Sequence, residues 1–347
     1  MSARIFRRTL PIALAGALLL GTGVTGATAE SATQQSDGHW RGRFTLITQP
    51  EAGHAQLYAL IASARKSIDL TMYELQDTTA TADLAAAAAR GVDVRVILDA
   101  YEKYDNQAAY TYLNANGVHA IWSSPAYYYT HQKTLTIDNR LSVIMTENWQ
   151  TQYYSTSRDY DVVDRDQRDV NAIVAVFNAD YTYTPITPSD GDDLVWSPTD
   201  AQPKLLALIN SAQYSISIEA EEMDDTNVTN ALIAAAERGV DVQVTMTNDD
   251  NEYAAPFNAL IAAGAHVSTY AYTASLYIHA KTILVDYGTR QARVYIGSEN
   301  FSNTSLTLNR ELGLIINDRS ILETVHKTDQ SDFAGGTPWT TTPPTTS

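Results

Sequence analysis

The chain has 347 residues, of which 44% are hydrophobic and 18% are charged, a balance typical of a globular protein with one large or two ordinary domains. It contains no cysteine, which excludes disulfides, thiolate metal sites and a cysteine nucleophile. The net charge of −17 repels polyanions at long range, so we expect no nucleic-acid partner. A zwitterionic or cationic partner meets no such penalty.

Residues 1–29 have the pattern of a secretory signal peptide. Three arginines precede an apolar segment over 11–24, and Ala27-Thr28-Ala29 offers a small-x-small cleavage site. The apolar segment is short and interrupted by glycine, so we expect cleavage after Ala29 rather than a permanent membrane span. Because residues 1–29 hold three arginines and no acids, the mature chain would carry −20. The sequence therefore predicts a secreted protein without a transmembrane anchor.

The elements that follow alternate between helix and strand. A helical apolar rhythm over 56–66 precedes a buried strand over 67–72. Asp77 is placed to cap the next helix, which runs through the alanines of 82–89, and another strand covers 92–98. This alternation predicts an α/β layer fold.

The same order of elements returns 148 residues later. Residues 90–94 read Arg-Gly-Val-Asp-Val, and so do residues 238–242. Further along, the offset becomes 152, so the second half carries a four-residue insertion, which we place in the turn over 287–291. The chain is therefore an internal duplication of a unit far larger than a solenoid repeat.

The duplication divides the chain into two halves, at residues 43–185 and 194–330. The segment between them, 184–193, is rich in Thr, Pro, Ser, Asp and Gly. A Pro- and Thr-rich tail over 335–347 is expected to be loosely ordered or a spacer. We expect a monomer, because one chain supplies both halves.

Each half carries one motif that combines a histidine, a lysine, an aspartate and an asparagine. On a strand with a period of two, the histidine and lysine side chains emerge side by side. A phosphate diester between the two motifs would meet lysines that offset its charge and asparagines that donate hydrogen bonds. One neutral imidazole would attack phosphorus, and the other would protonate the leaving alkoxide. The candidate catalytic residues are His131, Lys133, Asp138, Asn148, His279, Lys281, Asp286 and Asn300.

Two further expectations follow from these motifs. No metal or cofactor is required, because the lysines fill the electrophilic role and catalysis rests on positioning and charge stabilisation. The aspartate of each motif has an open role, either at longer range or through a contact at the end of the strand.

The motifs resemble those of the phospholipase D superfamily, His-x-Lys-x4-Asp followed by Gly-Ser-x-Asn. The copy over 279–300 matches fully apart from the insertion, and the trailing Asn309-Arg310-Glu311 also fits, with Arg158-Asp159 as its counterpart. In the first copy Met145-Thr146 stands where Gly-Ser is common. We expect the bulkier methionine to narrow the first half-site or bring it closer to lipid, so that the two halves have unequal roles.

The resemblance implies two similar α/β/α sandwich halves that face each other across a pseudo-two-fold axis, with a covalent histidine intermediate. By similarity to secreted bacterial phospholipases, it implies His131 as the nucleophile and His279 as the acid. The function implied is an exported phospholipase D that hydrolyses the headgroup phosphodiester of a glycerophospholipid such as phosphatidylcholine at a membrane or micelle surface. The alternatives are an exported nuclease of the superfamily, a phosphatidyl transferase and a non-catalytic phosphate-binding module.

The chain contains 21 tyrosines, and several of them are concentrated just before each motif. They stand at 127–129 in the first half and at Tyr270, Tyr272 and Tyr277 in the second. Together with nearby acids they would cage a quaternary ammonium group through cation–π contacts. Packing of strands and loops explains the same pattern equally well, so both interpretations stay open.

Several glutamates lie near the motifs. Glu74, Glu221 and Glu222 fall at the C-terminal ends of predicted strands, where open α/β sheets place their sites, but the sequence assigns them no role. Glu147 and Glu299 each precede the motif asparagine. We expect either a salt bridge across the pseudo-dyad or a contact with substrate.

Overall fold

Two eight-stranded sheets, built mainly from one half of the chain each, organise the fold. The computed structural model describes residues 42–341, so the predicted signal peptide and the last six residues lie outside them. The first half contributes β1 (Phe44–Gln49), α1 (Ala55–Ser63), β2 (Ser67–Met72), α2 (Thr78–Ala89), β3 (Asp93–Leu98), α3 (Lys103–Ala115), β4 (His119–Trp122), β5 (Thr134–Ile137), β6 (Leu141–Met145), β7 (Ser157–Asp164) and α4 (Gln167–Tyr181).

The second half repeats this series with two added short strands and one added short helix. It contributes β8 (Leu194–Ser197), α5 (Ala201–Ser211), β9 (Ser215–Ala220), α6 (Thr226–Glu237), β10 (Asp241–Asn248), α7 (Ala254–Ala262), β11 (His266–Ala271), β12 (Tyr277–Ile278), β13 (Thr282–Val285), β14 (Arg293–Gly297), α8 (Asn303–Thr307), β15 (Glu311–Ile316), α9 (Arg319–Gly335) and β16 (Thr337–Pro338). None of the helices within the described residues is long and apolar enough to cross a membrane.

The two sheets have matching strand orders. The first runs β1-β7-β6-β5-β2-β3-β4, with β12 beside β7, and the second runs β16-β11-β10-β9-β13-β14-β15-β8. In each sheet the strands that follow helices pair in parallel, β2 with β3 and β9 with β10, while the motif strands β5 and β13 join antiparallel. The predicted fold class, two similar α/β halves, is confirmed.

Equivalent helices begin with equivalent caps. The Asp77 carboxylate accepts hydrogen bonds from the backbone N–H groups of the first turn of α2, as the sequence predicted, and Asp225 caps α6 in the same way. These contacts satisfy donors that the first turn of a helix leaves unpaired. After both helices the chain turns at a glycine with φ of +89°, Gly91 or Gly239. The two sequences therefore specify the same local structure.

The insertion lies where the offset placed it. Residues 138–140 join β5 to β6, whereas residues 286–292 join β13 to β14. The longer connection adds four residues to a turn and leaves the register of the motif strands unchanged.

A shared apolar core and two buried ion pairs hold the halves together. The core combines side chains of β6 and β7 with those of β14 and β15, packed against α4 and α9. Arg158 of β7 pairs with Asp332 of α9 at 2.5 Å, and Arg310 before β15 pairs with Asp180 of α4 at 2.9 Å. Each arginine thus reaches a carboxylate of the opposite half, and the two pairs are related by the duplication.

The first part of the segment that was expected to be loosely ordered, residues 335–341, contains regular structure. Helix α9 extends to Gly335, and Thr337–Pro338 forms β16 against β11. Trp339 is buried, with its ring 5.4 Å from that of Phe257. The expectation is wrong for 335–341, because one tryptophan among the prolines and threonines gives the segment enough apolar surface to pack.

Candidate active site

Just before each motif, the chain forms a short parallel pairing with the arginine-bearing segment of the other half. Tyr277–Ile278 forms β12 in parallel with Ser157–Arg158, and Thr130 forms the equivalent bridge with Arg310. Both histidines follow these contacts and precede the regular strands β5 and β13, rather than lying within a strand as predicted. The histidine of one half is therefore positioned by the backbone of the other.

His131 is held between a carboxylate and an ammonium group. Its Nδ1 lies 2.8 Å from Oε2 of Glu311, a residue of the second half, and its Nε2 lies 2.7 Å from Nζ of Lys133. The other oxygen of Glu311 accepts hydrogen bonds from Ser305 at 2.5 Å and Asn309 at 2.9 Å. Burial and the Lys133 charge lower the pKa of His131. The ring is therefore neutral, with the proton on Nδ1 and the lone pair on Nε2.

His279 has the reciprocal arrangement. Its Nδ1 lies 2.7 Å from Oδ1 of Asp159, a residue of the first half, and the Thr146 hydroxyl donates to the same oxygen at 2.6 Å. Its Nε2 faces a second carboxylate, Oε2 of Glu221, at 3.5 Å. Each ring nitrogen of His279 therefore faces a carboxylate oxygen, which can accept a hydrogen bond from it.

The two histidine partners, Asp159 and Glu311, are separated by the offset of 152 residues. Both residues fit the family pattern in the sequence, but the sequence assigns neither of them a role. The usable signal was their position directly after Arg158 and Arg310, which occupy equivalent sites in the duplication. Which histidine each carboxylate meets depends on how the halves face each other, and a single-sequence pattern does not contain that information.

Both lysines are buried while both histidine side chains keep some exposure. Lys133 is 1% exposed and Lys281 is fully buried, whereas the side chains of His131 and His279 are 12% and 13% exposed. Burial and the neighbouring Lys281 ammonium lower the pKa of Lys133 to about 7. Two neighbouring buried ammonium groups form a site that attracts an anion.

The motif asparagines donate hydrogen bonds to two glutamates to which the sequence assigned no role. Nδ2 of Asn148 donates to Glu74 at 3.1 Å, and Nδ2 of Asn300 donates to Glu221 at 3.2 Å. Oδ1 of both asparagines is buried and has no hydrogen-bond partner among the described residues. Burial and the nearby Glu102 raise the pKa of Glu74 to about 8. Glu74 and Glu221 thus belong to the site.

Asp138 and Asp286 lie at the far ends of β5 and β13 from the lysines, which corrects their predicted place in the catalytic set. The Asp138 carboxylate accepts hydrogen bonds from the backbone N–H groups of residues 65–67, at 2.7–3.2 Å. Asp286 receives the same bonds from residues 213–215. Both residues have left-handed backbone, with φ of 54° and 51°. The aspartate of each motif therefore makes a contact at the end of the strand, which is the second of the two roles that the sequence left open.

The position of Met145 is also different from the expectation. Its side chain is fully buried in the core, so it does not approach lipid. At the equivalent Gly297, a Cβ atom would lie 2.5 Å from the Tyr295 hydroxyl and 2.5 Å from Cα of Gly313. The first half has Val143 in place of Tyr295, so the space that the tyrosine ring takes in one half is available to methionine in the other.

The glutamates before the asparagines stay within their own halves. Glu147 lies 2.9 Å from Nε2 of His54, and Glu299 accepts a hydrogen bond from the Tyr295 hydroxyl at 2.6 Å. Both glutamates are buried, which raises their pKa well above the usual value. The predicted salt bridge across the pseudo-dyad is therefore wrong, and so is the alternative of a substrate contact for side chains already paired in the interior.

The tyrosines before the motifs do not form one cage. Tyr127 stacks on Arg310, with Cζ 4.2 Å from the ring centroid, and the Tyr270 hydroxyl donates to the Asp332 carbonyl oxygen. Tyr277 remains beside the site, with ring centroids 6.2 Å from His279 and 6.0 Å from Tyr272. The packing interpretation holds for Tyr127 and Tyr270, whereas Tyr277 keeps a position beside a catalytic histidine.

One group of carboxylates within the described residues has the geometry to hold a cation. Oxygens of Glu74, Glu102 and Asp105 lie within 4.8 Å of one another. The Tyr73 hydroxyl donates to Glu102 at 3.0 Å. Hard cations prefer oxygen ligands of this kind, and Glu74 connects this group to Asn148 of the site.

The fold and the two crossed histidine pairs define a protein of two α/β halves that build one composite anion site. A family model described as "Cardiolipin synthase, PLD-like domain" matches residues 57–181 and 205–332, more than half of the chain. The chain therefore belongs to the phospholipase D superfamily, a superfamily of enzymes, and the resemblance of its motifs is confirmed. No curated protein matches the sequence.

Solved structures show the same fold. Polyphosphate kinase from Porphyromonas gingivalis superimposes with a TM-score of 0.66 at 16% identity, covering 83% of this chain and 50% of that one. The chain thus spans half the length of that protein. Phosphatidylserine synthase from Haemophilus influenzae Rd KW20 superimposes with a TM-score of 0.65 at 13% identity, covering 84% of this chain and 86% of that one. At these identities the likeness shows the fold alone.

Proposed function

We propose that the protein is an exported phospholipase D that hydrolyses the headgroup phosphodiester of a glycerophospholipid, releasing choline from phosphatidylcholine and leaving phosphatidate. The observation that supports this most strongly is that each histidine is hydrogen-bonded to a carboxylate of the opposite half. Nδ1 of His131 and of His279 is bonded to a carboxylate of the opposite half, which leaves Nε2 of each ring for chemistry. The acidic net charge and the signal-like first 29 residues support an exported enzyme that avoids polyanions.

In the first step, Nε2 of His131 attacks phosphorus while the bond from phosphorus to the headgroup oxygen breaks. The Nε2 proton of His279 passes to that oxygen, so the headgroup leaves with a hydroxyl group rather than as an alkoxide. His131 suits the first role because it is neutral, and His279 suits the second because carboxylates face both of its nitrogens.

In the second step, neutral His279 takes a proton from water, and the water oxygen bonds to phosphorus. The bond between phosphorus and Nε2 of His131 breaks, so both histidines regain their first forms. An alcohol in place of water would give transfer through the same intermediate. Both lysines offset the negative charge of the phosphoryl oxygens during the two displacements.

The proposal is tested with purified mature protein on phosphatidylcholine vesicles and on plasmid DNA, each with a chelator present. We expect choline release without nicking of the DNA. Nicking without choline release would favour the nuclease of the same superfamily and overturn the proposal. A non-catalytic phosphate-binding module would process neither substrate and would form no phosphohistidine.

A further inference from the structure

In the second motif, the lysine, asparagine and histidine donors that could bind a phosphate all face a single carboxylate oxygen. Oε2 of Glu221 lies 2.8 Å from Nζ of Lys281, 3.2 Å from Nδ2 of Asn300 and 3.5 Å from Nε2 of His279. A phosphate oxygen bound by this half-site needs the same three groups. Substrate must therefore exchange with Glu221 at Lys281, and the carboxylate then loses the charge that balances it.

The first half offers no such carboxylate at the equivalent position. Tyr73 stands there, 148 residues before Glu221. Its ring lies 5.2 Å from Nζ of Lys133 and packs edge-on against His131 at 4.6 Å. Among the described residues, a carboxylate therefore pairs directly with the motif lysine only on the side of the site that carries His279. Under the proposed function, that side receives the leaving headgroup.

We propose that Glu221 determines specificity by selecting phosphodiesters whose leaving alcohol carries a cationic ammonium group. This inference rests on the proposed function of the same site. In choline and ethanolamine the nitrogen is two carbons from the oxygen that His279 protonates, and Glu221 is adjacent to the protonating atom. When the phosphate group binds Lys281, Lys281 no longer pairs with Glu221. The ammonium group of the leaving alcohol then becomes the partner of Glu221.

The surroundings of Glu221 fit a cationic group. The Tyr277 hydroxyl donates to Oε1 of Glu221 at 3.4 Å, and its ring leans against that of Tyr272. Aromatic faces attract quaternary ammonium groups, and a partly buried carboxylate adds charge to that attraction. A neutral alcohol such as glycerol supplies no charge to Glu221. An anionic one is repelled by it.

The test compares kcat/KM for two soluble short-chain diesters, dibutanoyl phosphatidylcholine and dibutanoyl phosphatidylglycerol, so that no lipid surface contributes. We expect the wild type to prefer the choline ester by about tenfold or more, the range that loss of a charged partner produces. Glu221→Gln should bring the ratio near one, while Glu221→Asp, which keeps the charge, should retain a preference. Glu237→Gln, an exposed carboxylate on α6, is the control with the same change in net charge.

A second measurement uses choline as a competitive inhibitor. It should inhibit the wild type and the Glu237→Gln variant more strongly than it inhibits Glu221→Gln, and glycerol should not distinguish them. Equal cleavage of both esters by the wild type, or a ratio that Glu221→Gln leaves unchanged, overturns this inference and leaves the proposed function standing. Cleavage of neither ester overturns both.

Discussion

Glu311, in the second half of the chain, accepts a hydrogen bond at 2.8 Å from Nδ1 of His131 in the first. Since the Lys133 ammonium donates to Nε2 of the same ring, the Nδ1 proton is fixed by two neighbours at once. Asp159 and His279 repeat the contact in the opposite direction. Neither half contains a complete site, because each supplies the group that orients the other's histidine.

The first prediction concerns this orientation. Glu311→Gln replaces an acceptor with a side chain that also donates, which permits the wrong tautomer of His131. We expect kcat to fall about a hundredfold or more, as seen when the orienting carboxylate of other histidine catalysts is removed, with little change in KM. Steady-state kinetics check this. Glu323→Gln on the exposed face of α9 is the control, and near-normal kcat in Glu311→Gln would contradict the orienting role.

The second prediction concerns the ion pairs that join the halves. Asp180→Asn leaves the buried Arg310 guanidinium without its carboxylate, and we expect a loss of about 3–5 kcal/mol in the free energy of unfolding. Asp332→Asn should have a smaller effect, because Arg158 keeps Glu51 as a second carboxylate partner at 2.6 Å. Urea unfolding measures both. Losses below about 1 kcal/mol would mean that the halves are held by the shared apolar core alone.

Much of the fold follows from the sequence, because hydrophobic periodicity and a constant offset are local or repeated signals. Asp77 as a helix cap and the four-residue insertion are of this kind. The crossed contacts are different, since His131 and Glu311 are 180 residues apart and meet only when the halves dock. The reason that Met145 fits is likewise not local. It becomes visible only when the packed core around Met145 is compared with the core around Tyr295 in the other half.

The third prediction tests that comparison. Gly297→Ala places a methyl group 2.5 Å from both the Tyr295 hydroxyl and the Gly313 backbone, which cannot move apart without disturbing the β14–β15 pairing. We expect a clear fall in melting temperature, corresponding to about 1–3 kcal/mol. Thr111→Ala on the exposed side of α3 serves as a control. Normal stability of Gly297→Ala would contradict the steric account.

The fourth prediction is the pH dependence of kcat/KM, which reports groups of the free enzyme. The acid limb should lie below pH 6.5, since burial and Lys133 lower the pKa of His131 from that value. Activity should also fall as the pH rises through about 7, because burial and Lys281 lower the pKa of Lys133 to about 7 and its ammonium group is lost. Activity that rises steadily to pH 9 would contradict the role of Lys133 as a cation.

The fifth prediction concerns stability. Burial raises the pKa of Asp329 to about 7, in a cluster with Glu219 whose pKa is also raised. A carboxyl group with a raised pKa in the folded state contributes stability that is fully present below its unfolded value, near 4, and is lost as pH rises through about 7. The melting temperature should therefore fall between pH 5 and pH 8, and Asp329→Asn should reduce that slope. An unchanged slope would place the titration elsewhere.

The central claim is that two histidines from two halves perform different steps at one phosphorus atom. The most direct test treats His279→Ala with a p-nitrophenyl phosphodiester, whose leaving group needs no acid, and locates the phosphoryl group by mass spectrometry after rapid quenching. The account predicts a phosphohistidine at His131 that accumulates because no base activates water, and none in His131→Ala. A modified His279 in the His131→Ala protein, or no modified histidine in either variant, would contradict it.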